Sequence, residues 1–233
     1  MPRPKSTGTE VARRGCAVST GCVWRALPLW LICAMGCCGQ GWEFGVAAGY
    51  GFYRGGSVFA PGGKVQAGVR NRFAVSAFVA ENREWIAGEF RYTYQDGDPF
   101  LAAGSLRTNI QGQSHAFHYD LVAYLRAPSG RIRPFLAAGL GAKLYEITGP
   151  ENPEAPLQAV ARLRSRDQFT FLASGGGGVK LGLRRGLSLR VDFRDYMTPF
   201  PKRLVEPAPR ATPRGIFHQF TPLVGVSYEL SRH

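Results

Sequence analysis

Leu187-Ser-Leu-Arg-Val-Asp-Phe-Arg-Asp-Tyr196 alternates without a break: Leu187, Leu189, Val191 and Phe193 fall on one side, Ser188, Arg190, Asp192 and Arg194 on the other. Successive side chains of an extended strand point to opposite faces, whereas a helix needs apolar residues three and four apart. The stretch is therefore a strand with one apolar and one charged face.

The same period recurs on both sides of it. Trp42 to Tyr53 sets Trp42, Phe44, Val46, Ala48, Tyr50 and Phe52 against Glu43, Gly45, Ala47, Gly49 and Gly51. Further strands are expected over about Gln66 to Ala80, Trp85 to Gln95, about Arg107 to Arg126, Ile132 to Glu146, about Asp167 to Leu183 and about Phe217 to Leu230. Together these stretches predict an all-β chain of eight strands.

The connections alternate too. Those after the second, fourth and sixth strands are tight: Glu81-Asn-Arg-Glu84, Ala127-Pro-Ser-Gly130 and Arg184-Arg-Gly186. Those after the first, third, fifth and seventh are long and rich in Pro, Gly and charge: Arg54 to Lys64, Asp96 to Leu106, Thr148 to Arg166 and Met197 to Arg214. An antiparallel up-and-down transmembrane barrel has this asymmetry, with short periplasmic turns and longer external loops, and an even strand number leaves both mature termini in the periplasm.

A soluble barrel would show the same period with its apolar face inward, so the polar face decides. It holds Gly45, Gly49, Gly51, Gly139, Gly141, Gly176 and Gly178 among isolated charges. Glycine weakens a strand and gains nothing on an open surface, whereas small residues beside a few long charged ones suit the narrow interior of an eight-stranded barrel. The Gly-and-charge face is read as the interior. Trp42, Trp85 and Tyr228 then lie near the periplasmic ends and Tyr50, Phe52, Tyr92 and Tyr94 near the external ends, where aromatic girdles meet the headgroups.

The chain starts as exported proteins do. Arg3, Lys5, Arg13, Arg14 and Arg25 precede the apolar run Ala26 to Met35, and small residues follow at Gly36 to Gly39. The run is too short to cross a bilayer as a helix, and residues 1–39 are read as a secretory signal peptide with an extended N-terminus. Ala34-Met-Gly-Cys37 also loosely matches a lipoprotein cleavage site. All five cysteines fall in this segment, so residues 40–233, the barrel, carry none and offer no disulfide, thiolate ligand or thiol nucleophile. Loss of the five basic residues and Glu10 lowers the net charge from +13 to +9. No helix, zinc module or aromatic-basic motif would present base contacts, so the surplus is assigned to solvent and lipid phosphate and not to nucleic acid.

These residues carry a resemblance. Gly88-Glu-Phe-Arg-Tyr-Thr-Tyr94, Arg133-Pro-Phe-Leu-Ala-Ala-Gly139 and Val191-Asp-Phe-Arg-Asp-Tyr196 resemble segments of small outer-membrane barrels of the OmpA/OmpX type, and more narrowly of barrel proteins from acidobacterial genomes. The resemblance covers about Trp42 to Leu230. It implies an outer-membrane location, contact with outer-membrane lipid and lipopolysaccharide, and no cofactor. Gly225-Val-Ser-Tyr-Glu-Leu230 is similar to the terminal signal read by the barrel-insertion machinery, with Leu230 in place of the usual aromatic and Ser231-Arg-His233 following. Such families share a fold and not an activity.

The interior inventory is Glu43, Arg70, Arg72, Glu89, Arg91, Asp120, Lys143, Lys180, Arg190, Asp192, Arg194 and Glu229, with His118. An unpaired charge in so narrow a space is costly, which predicts a network that plugs the lumen; Glu89, Arg91, Asp120, Lys143, Lys180, Arg190, Asp192 and Arg194 are its expected members. A narrow ion path is the competing reading. Ser114, His118 and Asp120 share a face and raise the possibility of acyl transfer to or from lipid, but residues four apart on a strand are spaced roughly 13 Å, so no catalytic assignment is made. Four scattered histidines give no metal site, and Gly175 to Gly178 precede a strand and not a phosphate-cradling helix. The expected working surface is the external loops, where Lys202, Arg203, Arg210 and Arg214 suit lipopolysaccharide phosphates or a neighbouring protein.

Overall fold

The computed structural model describes residues 41–61, 63–152 and 157–230. The signal-peptide reading, with its cysteines, and the last three residues lie outside them. The strands are β1 (Gly41–Arg54), β2 (Gly56–Ala60), β3 (Gly63–Val69), β4 (Arg72–Asn82), β5 (Ile86–Asp96), β6 (Pro99–Ala103), β7 (Leu106–Asn109), β8 (Gly112–Tyr124), β9 (Ile132–Ile147), β10 (Ala161–Leu163), β11 (Gln168–Arg184), β12 (Leu187–Pro199), β13 (Val205–Pro207), β14 (Thr212–Arg214) and β15 (Ile216–Leu230).

Eight of them close a barrel in the order β1-β15-β12-β11-β9-β8-β5-β4, with β4 returning to β1 and every neighbour antiparallel. The expected fold is thus the observed one, and the expected faces hold. On β1, Trp42, Phe44, Val46, Ala48, Tyr50 and Phe52 are exposed on the outer wall while Glu43, Gly45, Ala47 and Gly51 are buried inside. The exposed outer face carries a belt of large apolar side chains on every barrel strand, such as Leu136, Leu140, Phe171, Phe193 and Val224. No water-soluble barrel exposes so continuous an apolar surface; lipid is its solvent. Trp42, Trp85 and Tyr228 stand exposed at the end with the short turns.

The interior glycines have a specific cause. A Cβ on Gly139 would lie 2.2 Å from the Asp120 carboxylate, and one on Gly141 would lie 2.0 Å from the Phe117 carbonyl. Strong curvature brings the neighbouring strand too close for any side chain there. Gly186, at φ 73, sits in the left-handed region that only glycine adopts without strain and so permits the tight β11–β12 connection.

The long connections are not loops in the usual sense. They fold into a five-stranded sheet, β14-β2-β3-β6-β7, and a two-stranded one, β10-β13. One apolar core joins them to the barrel mouth: Val58, Val65, Val69, Leu101, Leu204 and Val205 pack with Tyr145 of β9 and Phe217 of β15. Two sequence-based boundaries change as a result. Gln66 to Ala80 is not one strand, because β3 ends at Val69, belongs to the outer sheet, and is followed by a break before β4. Arg107 lies in β7, separated from β8 by Ile110 and Gln111. A smaller apolar cluster, Ala87, Val122, Tyr124, Phe135 and Ala137, fills the lumen toward the short turns.

Candidate functional site

The lumen between these two apolar layers is filled by ion pairs. The inward parity of β5 and β12 aims Glu89, Arg91, Arg190, Asp192 and Arg194 at the barrel axis, all of them buried. Arg91 Nε donates to Glu89 Oε1 at 2.8 Å and Nη2 to Asp192 Oδ2 at 2.9 Å. Arg190 reaches Glu89 at 2.6 Å and Asp192 at 3.2 Å. Arg194 bridges Asp120 at 2.6 Å and Glu89 at 3.2 Å. The guanidinium groups also lie over rings, Arg91 and Arg190 over Phe78 and Arg190 over Phe135. Three guanidiniums are shared among three carboxylates, since planar fork donors can serve two acceptors each, and buried Arg190 Nη2 and Arg194 Nε have no hydrogen-bond partner among the described residues.

A second, separate cluster lies closer to the short turns. Lys180 Nζ donates to Glu43 Oε2 at 2.9 Å and to Glu229 Oε2 at 2.8 Å, and Asn82 Nδ2 donates to Glu43 at 2.5 Å. Charged groups of β1, β11 and β15 are thereby tied across the seam where the barrel closes.

Three residues depart from the sequence-based inventory. Lys143 is buried but belongs to neither cluster: Nζ donates to the Tyr53 hydroxyl at 2.9 Å and to Gln219 Oε1, lies over the Tyr53 and Tyr145 rings, and has no carboxylate partner among the described residues. Its place on β9 toward the lobe puts it beyond the reach of the central carboxylates. Arg70 is exposed between β3 and β4, outside the lumen, because the chain has left the barrel there. Arg72 stands at the mouth and pairs with Asp96 at 3.0 Å and Asp98 at 2.8 Å, residues that the sequence-based inventory of charges left out.

The polar residues of β8 do not converge as a catalytic set. His118 Nδ1 lies 2.9 Å from Asp120 Oδ1 inside the barrel, while the Ser114 hydroxyl meets Tyr53 Oη at 3.3 Å. His115, on the outer wall, sits between the Tyr92 hydroxyl at 2.9 Å and Glu146 Oε2 at 3.2 Å, and Gln113 donates to the same Glu146 oxygen at 2.8 Å. Such polar side chains on the outer face near the rim that carries the lobe belong at headgroup depth, where they keep access to water.

Lys202, Arg203, Arg210 and Arg214 are all exposed on the lobe formed by the long connections. They are spread along the chain from the turn before β13 to the end of β14, with Arg214 over the Phe59 ring. More tightly organised is Arg164, whose guanidinium is held by Glu151 at 3.2 Å and by Glu206. Glu151 also accepts the Ser165 N–H at 2.8 Å. That backbone donor, then Arg164, holds its carboxyl below the usual carboxylate range.

With a closed eight-stranded wall, an apolar exterior and a charged interior in place, comparison with solved structures is informative. The chain is similar to Neisserial surface protein A, NspA, at 12% identity over 83% of this chain and 100% of that one, with a TM-score of 0.50. It is similar to the outer membrane protein OprG from Pseudomonas aeruginosa at 11% identity over 82% and 96% of the two chains, with a TM-score of 0.51. The chain folds as a small outer-membrane barrel. No protein-family model and no curated protein matches it, so the likeness is one of fold.

Proposed function

We propose that the protein is a non-conducting barrel of the outer membrane whose working part is the folded external lobe, a recognition surface for lipopolysaccharide or a partner at the cell exterior. The observation that carries this reading is the continuous core of the lobe. Val58, Leu101, Ala161 and Leu204, all buried and one from each of the four connections, join them into one body that rests on Tyr145 and Phe217 of the barrel rim. Ordering that many residues costs conformational entropy that an idle loop has no reason to meet, and a preformed surface binds with less loss on association. Below it, the central ion pairs act as a plug. In the same reading the short turns and both mature termini face the periplasm, and Gly225 to Leu230 of β15 present the insertion signal.

Single cysteines test the orientation, because residues 40–233 contain none. Ser105→Cys in the β6–β7 turn and Ser129→Cys in the β8–β9 connection are both exposed. On intact cells a membrane-impermeant maleimide should label Ser105→Cys and leave Ser129→Cys unlabelled until the outer membrane is permeabilised. The reverse pattern would turn the barrel over and remove the lobe from the surface.

A further inference from the structure

The five-stranded lobe sheet prolongs the barrel wall. Its order, β14-β2-β3-β6-β7, repeats that of the barrel strands adjoining it in sequence, β15-β1-β4-β5-β8. The outer parity of β5, with Tyr94 and Asp96, runs on into Phe100 and Ala102 of β6, and that of β8, with His115 and Gln113, runs back into Asn109 and Arg107 of β7. One face of the sheet, with Val58, Val65 and Leu101, packs into the lobe core. The other therefore continues the lipid-facing wall past the rim, by about 17 Å over the five residues of β2.

That outer face is basic. None of the five strands contains Asp or Glu. Phe59 of β2 is exposed and flanked by one cation from each neighbouring strand, with Lys64 Nζ of β3 5.4 Å and Arg214 Cζ of β14 5.9 Å from the ring centre. Two strands further, the Phe100 ring of β6 lies against Gly68, where a Cβ would come within 2.9 Å of it, and Arg107 of β7 stacks over it at 4.1 Å. Lys64, Arg107 and Arg214 are exposed and form no ion pair among the described residues. The carboxylates at the foot of the sheet are engaged: Asp96 and Asp98 are balanced by Arg70 and Arg72. Glu146 belongs to β9, which does not lead into the sheet, and is held by Gln113 and His115. The charge that remains on this face is positive.

We infer that this face docks the phosphorylated saccharide head of lipopolysaccharide in the surrounding leaflet, with its phosphates on Lys64, Arg107 and Arg214. A face that prolongs the lipid-facing wall stands beside the leaflet's own headgroups, so a lipid head is the first neighbour it meets. Phosphates match it in charge, and guanidinium forks take their oxygens two at a time. Rings under the cations hold them outward, which leaves less freedom to be lost on binding. Single-stranded nucleic acid fits less well. It needs open aromatic faces on which to stack its bases, and here cations already lie over both rings. The inference rests on the lobe being a recognition surface at the cell exterior and names its ligand.

The test uses the folded barrel in detergent, titrated with deep-rough lipopolysaccharide and, separately, with the same glycolipid dephosphorylated by hydrogen fluoride, bound lipid being counted by native mass spectrometry. The intact glycolipid should bind saturably and the dephosphorylated one at least tenfold more weakly. A triple variant, Lys64→Gln with Arg107→Gln and Arg214→Gln, should weaken the intact glycolipid at least tenfold. Arg162→Gln with Lys202→Gln and Arg203→Gln removes an equal charge elsewhere on the lobe and should leave binding unchanged. Heat-modifiable gel mobility checks that both variants fold. Should the first not fold, its three single changes carry the test, each weakening binding about fivefold, the share of one basic residue beside an anionic lipid surface. Equal binding of the two glycolipids, an equal loss in both variants, or no binding would overturn the inference, as would oligothymidylate binding as tightly as the intact glycolipid. Failure of the glycolipid with Ser105→Cys still labelled from outside sinks this assignment and leaves the surface reading standing, whereas labelling of Ser129→Cys in its place removes both.

Discussion

Arg194 and Lys143 are both fully buried basic residues, and their environments are opposite. Arg194 spans Asp120 and Glu89, so truncation takes from Asp120 its guanidinium partner, leaving it only His118, and from Glu89 one of three guanidiniums in the centre of the lumen. Removing one member of a buried pair costs about 3–5 kcal/mol, because the remaining charge stays desolvated. Lys143 has only neutral partners, so its removal abandons no charge. Arg194→Ala should therefore lower stability by about 3–5 kcal/mol, while Lys143→Met should stay within about 1 kcal/mol of wild type or exceed it. Urea titration of the folded barrel, followed by heat-modifiable gel mobility, reads both. A larger loss in Lys143→Met than in Arg194→Ala would mean that Lys143 meets a charge this geometry does not give it. The sequence lists both residues on the same inward parity. What it could not tell is which of them a carboxylate reaches, since Arg91 and Asp192 are 101 positions apart and meet only because β5 and β12 face each other across the lumen.

Barrel strands and lobe strands differ in how well they can be read. The barrel strands run 11–17 residues with an exposed apolar face and an enclosed polar one, so their period of two persists long enough to be recognised. The lobe strands run 3–7 residues between Pro and Gly, and their buried residues, such as Val58 and Val205, are too few per strand to show a period. After Val69 and after Asn109 the extended backbone passes from one sheet toward another, which is why two strands with a break between them read as one. The depressions on the lobe surface were invisible for the same reason: Thr108, Arg162 and Pro207, which line them, come from three connections that only the lobe core brings together. That core can be tested as a unit. Val58→Asp places a carboxylate among Val65, Leu101 and Leu204 without touching a barrel strand. Burying an unpaired charge there costs several kcal/mol, so the lobe should open while the barrel persists. Trypsin should cut the variant within the lobe and leave a protected barrel, and should spare the wild type. A wild-type lobe cut as fast as the variant would show that the connections are ordinary loops.

At the scale of the molecule, the proposed plug consists of three layers in the lumen. Ala87, Val122, Tyr124, Phe135 and Ala137 fill it near the short turns, the pairs among Glu89, Arg91, Arg190, Asp192 and Arg194 fill its centre, and the lobe core with Tyr145 and Phe217 covers its mouth. An eight-stranded wall leaves room for side chains and little else, so a conducting path would need all three layers to part together. Each layer is held by a different force: apolar packing, buried ion pairing and the folding of the lobe. No single substitution weakens all three. Wild-type protein in planar bilayers should accordingly show no steady current, and Arg194→Ala and Val58→Asp should each stay silent although the first loses stability and the second loses its cover. Only the combined variant, with the central network broken and the mouth uncovered, should give transient openings, and these should be brief because the lower apolar cluster remains. A steady ohmic current through the wild type would replace the plug with a pore. A steady current through Val58→Asp alone would instead make the lobe the gate and reduce the ion pairs to the lining of a channel.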